Sequence, residues 1–160
     1  MARYPSPSSV YVSFGPGRVT PAVKALIWAN VVMFLAAFFV PSITVYLGLW
    51  PAAVFGRLAV WQVVTYMFLH GGLFHILFNM LALWMFGVEL ERLWGTRFFV
   101  KFYFVSGLGA AATTLLWSVL PLPFADMMYD SLTIGASGAI YGLLMAYGLT
   151  YPDTTPRQRK

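Results

Sequence analysis

Four long apolar stretches, separated by segments rich in proline, glycine or charge, dominate the pattern of this chain. They lie near residues 22–40, 61–88, 98–120 and 133–151. Each is close to the roughly 20 residues that an α-helix needs to cross about 30 Å of hydrocarbon. The pattern therefore predicts an all-α fold, a polytopic membrane helix bundle with four transmembrane helices.

The segments outside these stretches contain helix breakers or positive charge. Residues 1–21 contain several prolines and glycines and are predicted to form a flexible cytoplasmic tail. Residues 41–60 are apolar and aromatic but are interrupted by prolines and glycines, which favours an interfacial loop between the first two helices. The predicted transmembrane domain thus covers residues 22–151, and residues 152–160 form a second, basic cytoplasmic tail.

Composition narrows the chemistry that this protein can perform. Hydrophobic residues make up 60% of the chain and charged residues only 9%, and there is no cysteine. These values exclude an ordinary soluble domain, a disulfide framework and a thiolate metal site. Two histidines are too few for a conventional zinc site, so we expect no metal and no organic cofactor. The abundant aromatic side chains are interpreted as interfacial anchors and lipid-facing bulk.

The positive charge of the chain indicates its orientation, and no nucleic-acid partner is expected. The net charge is +5, but the basic residues lie at the ends of apolar stretches and form no stripe. If the amino terminus is cytoplasmic, nine of the ten basic residues fall inside and only Arg57 falls outside. The nine are Arg3, Arg18, Lys24, Arg92, Arg97, Lys101, Arg157, Arg159 and Lys160. We therefore expect both ends of this chain on the cytoplasmic side of a lipid bilayer.

Two of the predicted helices bring polar groups to one depth. Counted from the inner ends of the second and fourth helices, His75 and Ser137 each lie about 14 residues, or roughly 21 Å, above the cytoplasmic surface. Asn79 follows His75 by one turn and shares its face, whereas His70 is expected to point elsewhere. Polar groups in hydrocarbon cost several kcal/mol each unless they are paired or used. His75 and Ser137 at one level, with Asn79 one turn deeper, therefore indicate a site.

These polar motifs resemble those of the rhomboid family of intramembrane serine proteases. The matching segments are His75-Ile-Leu-Phe-Asn79, Gly135-Ala-Ser137-Gly138, Tyr141 one turn further on, and Gly87-xxx-Glu91-xxx-Gly95. The resemblance covers about residues 20–151. It implies a core of six helices, of which this chain contains four, in the inner membrane of a bacterium.

The resemblance also implies a role for each polar residue of the site. Ser137 would be the nucleophile, and its backbone amide would form the oxyanion hole together with His75 and Asn79. Tyr141 would orient the catalytic base. Two glycines would leave room for substrate and for a neighbouring helix because they lack a Cβ, namely Gly135 and Gly138.

The catalytic base itself has no predicted counterpart in this chain. In rhomboid proteases a histidine on the sixth helix activates the serine, whereas this chain ends after four predicted helices. Neither His70 nor His75 is expected to substitute for it. A stripe of small residues on the fourth helix, Gly138, Gly142 and Ala146, would let another helix pack closely, such as the one with the base. We therefore expect a chain that is truncated after its fourth helix and inactive on its own.

Two functions from different classes follow from these residues. The first is an intramembrane serine endopeptidase with a Ser-His dyad, which cleaves transmembrane protein substrates near the outer membrane face. The alternative is a non-catalytic rhomboid-like protein that binds membrane clients, but Ser137 and its oxyanion partners favour the protease. A transporter or channel would need charged residues that face a pathway within the helices, and none is found.

Each polar residue also has a purely structural interpretation. His75 and Asn79 suit hydrogen bonds between helices, and Ser137 alone suits a small interface residue. Glu91 and Arg92 are interpreted as a solvated pair at a helix end, although the flanking glycines indicate that Glu91 also ties the second helix to the third.

Overall fold

The computed structural model describes residues 15–152 of the chain. Most of the two predicted tails, residues 1–14 and 153–160, lies outside the described residues. Between them the chain is helical, and its one extended pairing is an isolated antiparallel bridge between Leu49 and Thr133. The helices in chain order are α1 Pro21–Phe39, α2 Ser42–Leu47, α3 Pro51–Arg57, α4 Gln62–Thr65, a 3-10 turn Tyr66–Phe68, α5 Leu73–Ala82, a π-helical turn Leu83–Gly87, α6 Val88–Trp94, α7 Thr96–Val119, α8 Ala125–Tyr129 and α9 Ser137–Thr150.

Three helical stretches of the described part are long and apolar enough to cross a membrane. They are Pro21–Phe39, Leu73–Trp94 and Thr96–Val119, and the second consists of α5, the π-helical turn and α6 in series. Helix α9 is also apolar, but its 14 residues span only about 21 Å. The prediction of an all-α membrane helix bundle is confirmed, with three full-length spans in the described part and a shorter α9 in place of the fourth predicted span.

The boundaries of the second apolar stretch were wrongly predicted. The helix predicted over residues 61–88 instead covers Leu73–Trp94. Two consecutive glycines precede it, and the residues before them form only α4 and the 3-10 turn. Gly95 ends the helix with a φ of 75°, in the left-handed region that favours glycine. His75 therefore lies in the first turn of the helix and not in its middle.

Side chains of two other helices pack against Gly87. A Cβ on this residue would lie 3.0 Å from Val23 of α1 and 3.3 Å from Phe99 of α7. Both neighbours are completely buried, as is Leu83 one turn earlier. A small residue at this position lets the backbones pack closely, and such close packing is one of the forces that hold helices together in lipid.

The Glu91 carboxylate joins the same three helices at their common end. It accepts hydrogen bonds from the backbone amides of Ala22 and Val23, each 3.0 Å long, and from the hydroxyls of Thr20 at 2.5 Å and Thr96 at 2.8 Å. The two amides belong to the first turn of α1, where backbone N–H groups have no partner within the helix. The negative charge also complements the positive end of the helix dipole. Glu91 therefore serves as the cap of α1.

Glu91 and Arg92 do not form the solvated pair that the sequence suggests. Glu91 is only 3% exposed, whereas Arg92 donates to the carbonyl oxygens of Pro16 and Arg18 and to the exposed carboxylate of Glu89. Two adjacent opposite charges thus have separate partners. The predicted contact between Glu91 and the third transmembrane helix is present, because Thr96 of α7 donates a hydrogen bond to the carboxylate. The hydrogen bonds from α1 to Glu91 were not predicted from the sequence.

Helices α7 and α9 pack along the stripe of small residues. A Cβ on Gly138 would lie 2.5 Å from the Cβ of Ala110, and a Cβ on Gly142 would overlap the side chain of Ser106. The two helices therefore approach more closely than larger residues would allow. Within the described residues the partner of this stripe is α7, and not a helix that supplies a base.

The segment predicted as an interfacial loop forms the short helices α2 and α3. It is tied to the bundle by Gln62, which is 2% exposed, accepts a hydrogen bond from the Trp50 amide and donates to the Tyr46 carbonyl. The backbone bridge between Leu49 and Thr133 joins the same segment to the loop before α9. The loop that leads to α9 is therefore tied to the segment between α2 and α3.

The first prediction concerns the cap at Glu91. In Glu91→Gln one acceptor oxygen becomes an NH2 group, so the buried amides of α1 lose a charged partner. We expect the free energy of unfolding in detergent micelles to fall by about 2–3 kcal/mol. Denaturant titration followed by circular dichroism measures it. The matched control is Glu89→Gln, which breaks only an exposed ion pair and should cost less than about 0.5 kcal/mol. Equal losses in both variants would contradict the capping role.

Candidate active site

One cavity of about 450 Å³ lies between α5 and α9. Four of the predicted site residues line it: His75 and Asn79 from α5, and Ser137 and Tyr141 from α9. The remaining lining is apolar and consists of Phe74, Phe78, Ala82, Ile140 and Leu144. The structure thus brings together the hydroxyl and the imidazole that the sequence placed at one level, and the carboxamide and the phenol line the same cavity. A few polar groups in a mostly apolar concavity are typical of a binding or catalytic site.

Ser137 is the first residue of α9. The residue two places before it, Gly135, has a φ of 125°, and its amide donates to the Tyr66 carbonyl at 2.9 Å. This turn fixes where α9 begins. Backbone N–H groups in the first turn of a helix have no acceptor within the helix, and the helix dipole makes this end positive. The serine hydroxyl is therefore placed beside backbone donors suited to a negatively charged oxygen.

The imidazole of His75 faces the turn before Ser137. A Cβ built on Gly135 would lie 2.8 Å from His75 Nε2 and 3.7 Å from Ser137 Oγ. Nε2 and Oγ are therefore no farther apart than the sum of these two distances. On the other side of the ring, Nδ1 accepts a hydrogen bond of 3.3 Å from the Gly71 amide. Gly135 thus leaves the space that the imidazole occupies beside the turn before Ser137.

Asn79 is almost completely buried at the wall of the cavity. It is 8% exposed, and its Nδ2 donates to the His75 carbonyl at 2.8 Å, one turn earlier in α5. An amide NH2 group has two hydrogens, so this bond orients the carboxamide and leaves a second donor. Its neighbours in the cavity are the hydroxyl and the imidazole already described.

Tyr141 lies one turn after Ser137 and is 71% exposed. No imidazole of residues 15–152 packs against its ring, so the structure places Tyr141 at the cavity without the base that it is predicted to orient. Ser137 Oγ likewise makes no hydrogen bond to either histidine of the described part. The cavity therefore contains the Ser137 hydroxyl together with the His75 and Asn79 side chains. The ring of Tyr141 lies at its exposed edge.

His70 lies beside His75, contrary to the expectation that it points elsewhere. The two ring centroids are 5.0 Å apart in an edge-to-face arrangement, and His70 is 6% exposed. The expectation assumed a continuous helix, whereas the residues between 69 and 72 are not helical. Burial first, and the neighbouring His75 second, lower the pKa of His70 to about 4. His70 is therefore a neutral packing partner of His75 at physiological pH.

Tyr66 is a site-positioning residue that the sequence did not reveal. Its phenol donates to the Gly107 carbonyl of α7 at 2.7 Å, and its own carbonyl accepts from the amides of Gly135 and Leu69. It is 3% exposed, so it is not the interfacial anchor that its aromatic ring suggests. The contact to Gly135 uses a backbone oxygen, which leaves no trace in the residue pattern.

The fold and cavity define a membrane-embedded helix bundle with a serine, an imidazole and a carboxamide in one site. The family model of the Rhomboid domain matches residues 57–158, which is more than half of the chain. The chain therefore belongs to the rhomboid family, and it is an integral membrane protein.

Several relatives named as rhomboid proteins match about half of this chain. The rhomboid protease AarA of Providencia stuartii is 35% identical over 91 residues, which cover 54% of this chain and 32% of that protein. The rhomboid protease GluP of Bacillus subtilis (strain 168) is 37% identical over 86 residues, or 54% of this chain and 15% of that protein. RHOMBOID-like protein 5 of Arabidopsis thaliana is 34% identical over 86 residues, covering 54% and 25% of the two chains. The matched regions thus span a third or less of these relatives.

The second prediction concerns the space between the imidazole and the serine. Gly135→Ala places a methyl group against His75 and forces an L-residue into a positive φ. We expect the free energy of unfolding to fall by about 1–3 kcal/mol. The same measurement on Gly148→Ala is the control, because a Cβ there meets nothing within 4 Å and should have no cost. A neutral Gly135→Ala variant would mean that the ring does not occupy this position.

Proposed function

We propose that this chain contains the nucleophile and the oxyanion hole of an intramembrane serine endopeptidase. The observation that supports the proposal is the shared cavity, in which Ser137 at the start of α9 meets His75 and Asn79 of α5. The family to which the chain belongs includes relatives named as rhomboid proteases. A site built only for helix-to-helix hydrogen bonds would have no need for an open cavity around these groups.

In the proposed reaction Ser137 Oγ attacks the carbonyl carbon of a peptide bond. The carbonyl oxygen becomes negatively charged and needs donors that are already in place in a site of low dielectric. The Ser137 amide, the Asn79 carboxamide and the His75 imidazole are the three donors of the proposal. Departure of the amine leaves an acyl-enzyme, which a water molecule then hydrolyses.

The proton of the serine hydroxyl needs a base, and neither histidine of this chain is placed to take it. His75 is assigned to the oxyanion side, and both ring nitrogens of His70 are buried. We propose that a histidine from outside these 160 residues is the base and that the exposed ring of Tyr141 orients it. The 160-residue chain by itself should then hydrolyse no peptide at the rate of a protease.

The distribution of charge supports a cytoplasmic amino terminus. Lys24 in the second turn of α1 and Arg92 near the end of α6 lie at the end of the bundle that Glu91 joins. Ser137 and His75 lie in the first turns of α9 and α5, at the opposite end. By the positive-inside rule the first end is cytoplasmic, so the cavity lies near the outer face.

The proposed substrates follow from the position of the cavity. They are transmembrane proteins whose helices unwind near the outer membrane face, since only an unfolded segment exposes its peptide carbonyls to a nucleophile. The proposed location of the enzyme is the inner membrane of a bacterium.

The third prediction tests the nucleophile. Residues 1–152 are fused to the segment that follows the matched region of GluP, and cleavage of a model transmembrane substrate is followed in proteoliposomes. We expect cleavage by the fusion and none by the 160-residue chain. Ser137→Ala in the fusion should lower the rate by about 10³-fold or more.

Ser118→Ala is the control for this experiment, because its hydroxyl bonds only the Leu115 carbonyl on α7. It should leave the rate unchanged. Cleavage that persists in Ser137→Ala would remove this residue as the nucleophile.

The fourth prediction separates an oxyanion donor from a structural amide. In the same fusion, Asn79→Ala should lower kcat by about 10²-fold with little change in KM, because the donor acts on a charge that exists only in the transition state. Asn30→Ala is a matched control, since Asn30 makes the same 2.8 Å bond to the carbonyl four residues earlier in α1. An equal loss of kcat in both variants would show that Asn79 has only a structural role.

A further inference from the structure

The turn before α5 brings a backbone donor to one nitrogen of His75. The Gly71 amide lies 3.3 Å from Nδ1 with hydrogen-bonding geometry. A backbone N–H group can only donate, so Nδ1 must present its lone pair. A neutral imidazole has one N–H group, and its proton must then be on Nε2.

The nitrogen that retains the proton is the one that faces Gly135, two residues before Ser137. His75 Nε2 is directed at Gly135, where a Cβ would lie 2.8 Å away, and the same Cβ would be 3.7 Å from Ser137 Oγ. An Nε2–H group at this place can donate to an oxygen, but it cannot accept the proton of the serine hydroxyl. The tautomer therefore decides whether His75 is a donor or a base.

Two further contacts hold the turn in this position. The His70 ring packs edge-to-face on the His75 ring at 5.0 Å and is itself buried. The Tyr66 carbonyl accepts the Leu69 amide at the start of the turn and the Gly135 amide before α9. One carbonyl thus anchors both the turn that contacts Nδ1 and the turn that faces Nε2.

We propose that the turn of residues 69–72 is a positioning device whose Gly71 amide holds His75 in the tautomer protonated at Nε2. In this state His75 is confined to donating a hydrogen bond toward Ser137. The value of that donor for an oxyanion rests on the proposed function, whereas the tautomer itself does not.

The chain is well suited to a direct test because it contains only two histidines. The full chain is labelled with ¹⁵N-histidine in detergent micelles, and the ring nitrogens are observed by NMR at about pH 8, above the ordinary histidine pKa. His70→Phe assigns the remaining ring to His75. We expect a lone-pair-type shift at Nδ1 and an N–H-type shift at Nε2.

A pair of variants at position 71 isolates the backbone donor. A Cβ on Gly71 would lie 3.6 Å from Ile134 and 3.9 Å from His75 Nδ1, which are ordinary contacts. Gly71→Ala therefore keeps the N–H group and should keep the wild-type tautomer. Gly71→Pro removes the N–H group, and the ratio of Nδ1–H to Nε2–H forms should rise about fivefold, the equivalent of one ordinary hydrogen bond.

Equal tautomer ratios in Gly71→Ala and Gly71→Pro would overturn the proposal. If Gly71→Pro does not fold, the wild-type spectrum decides, because a proton on Nδ1 would be incompatible with the Gly71 bond. These results are independent of cleavage, so they distinguish this proposal from the proposed function. If Ser137→Ala did not slow cleavage, Ser137 would no longer be the proposed nucleophile, but the proposed tautomer of His75 would still stand.

Discussion

The need to satisfy buried polar groups in hydrocarbon is the constraint on which this bundle depends. Lipid tails are as apolar as leucine, so helices gain little from hiding apolar surface and are held by close packing and polar contacts. Glu91 meets this need at one end by capping α1 and binding Thr96 of α7. At the middle of α7 the Tyr66 phenol donates to the Gly107 carbonyl. The helices between these two anchors are fixed closely enough to position a site.

The candidate site is held, like the rest of the bundle, by hydrogen bonds between side chains and backbone groups or between backbone groups. A backbone carbonyl at Tyr66 fixes the turn before Ser137, a carbonyl within α5 orients Asn79, and a backbone amide contacts His75. Backbone groups are rigid parts of helices and turns, so the side chains they hold need little reorganisation when charge develops. The difference from the scaffold is that the Ser137 hydroxyl, the Asn79 carboxamide and the His75 imidazole face an open cavity.

Much of this arrangement could be predicted because helical geometry is regular. The four-residue spacing of His75 and Asn79 placed them on one face, and the apolar stretches placed Ser137 near their level. The prediction of a helix over residues 61–72 is wrong because the apolar run continues across the two glycines after which the helix begins, and the same error misplaces His70. Glu91 caps a helix about 70 residues away in sequence, and such a backbone partner has no signature in the residue pattern.

The central claim is that Ser137, His75 and Asn79 act on one oxygen atom. An experimental structure of the GluP fusion with a phosphonate inhibitor attached to Ser137 would test it most directly. The claim predicts a phosphonyl oxygen within about 2.7–3.1 Å of both Asn79 Nδ2 and His75 Nε2. An unmodified Ser137, or a phosphonyl oxygen directed away from these two donors, would contradict it.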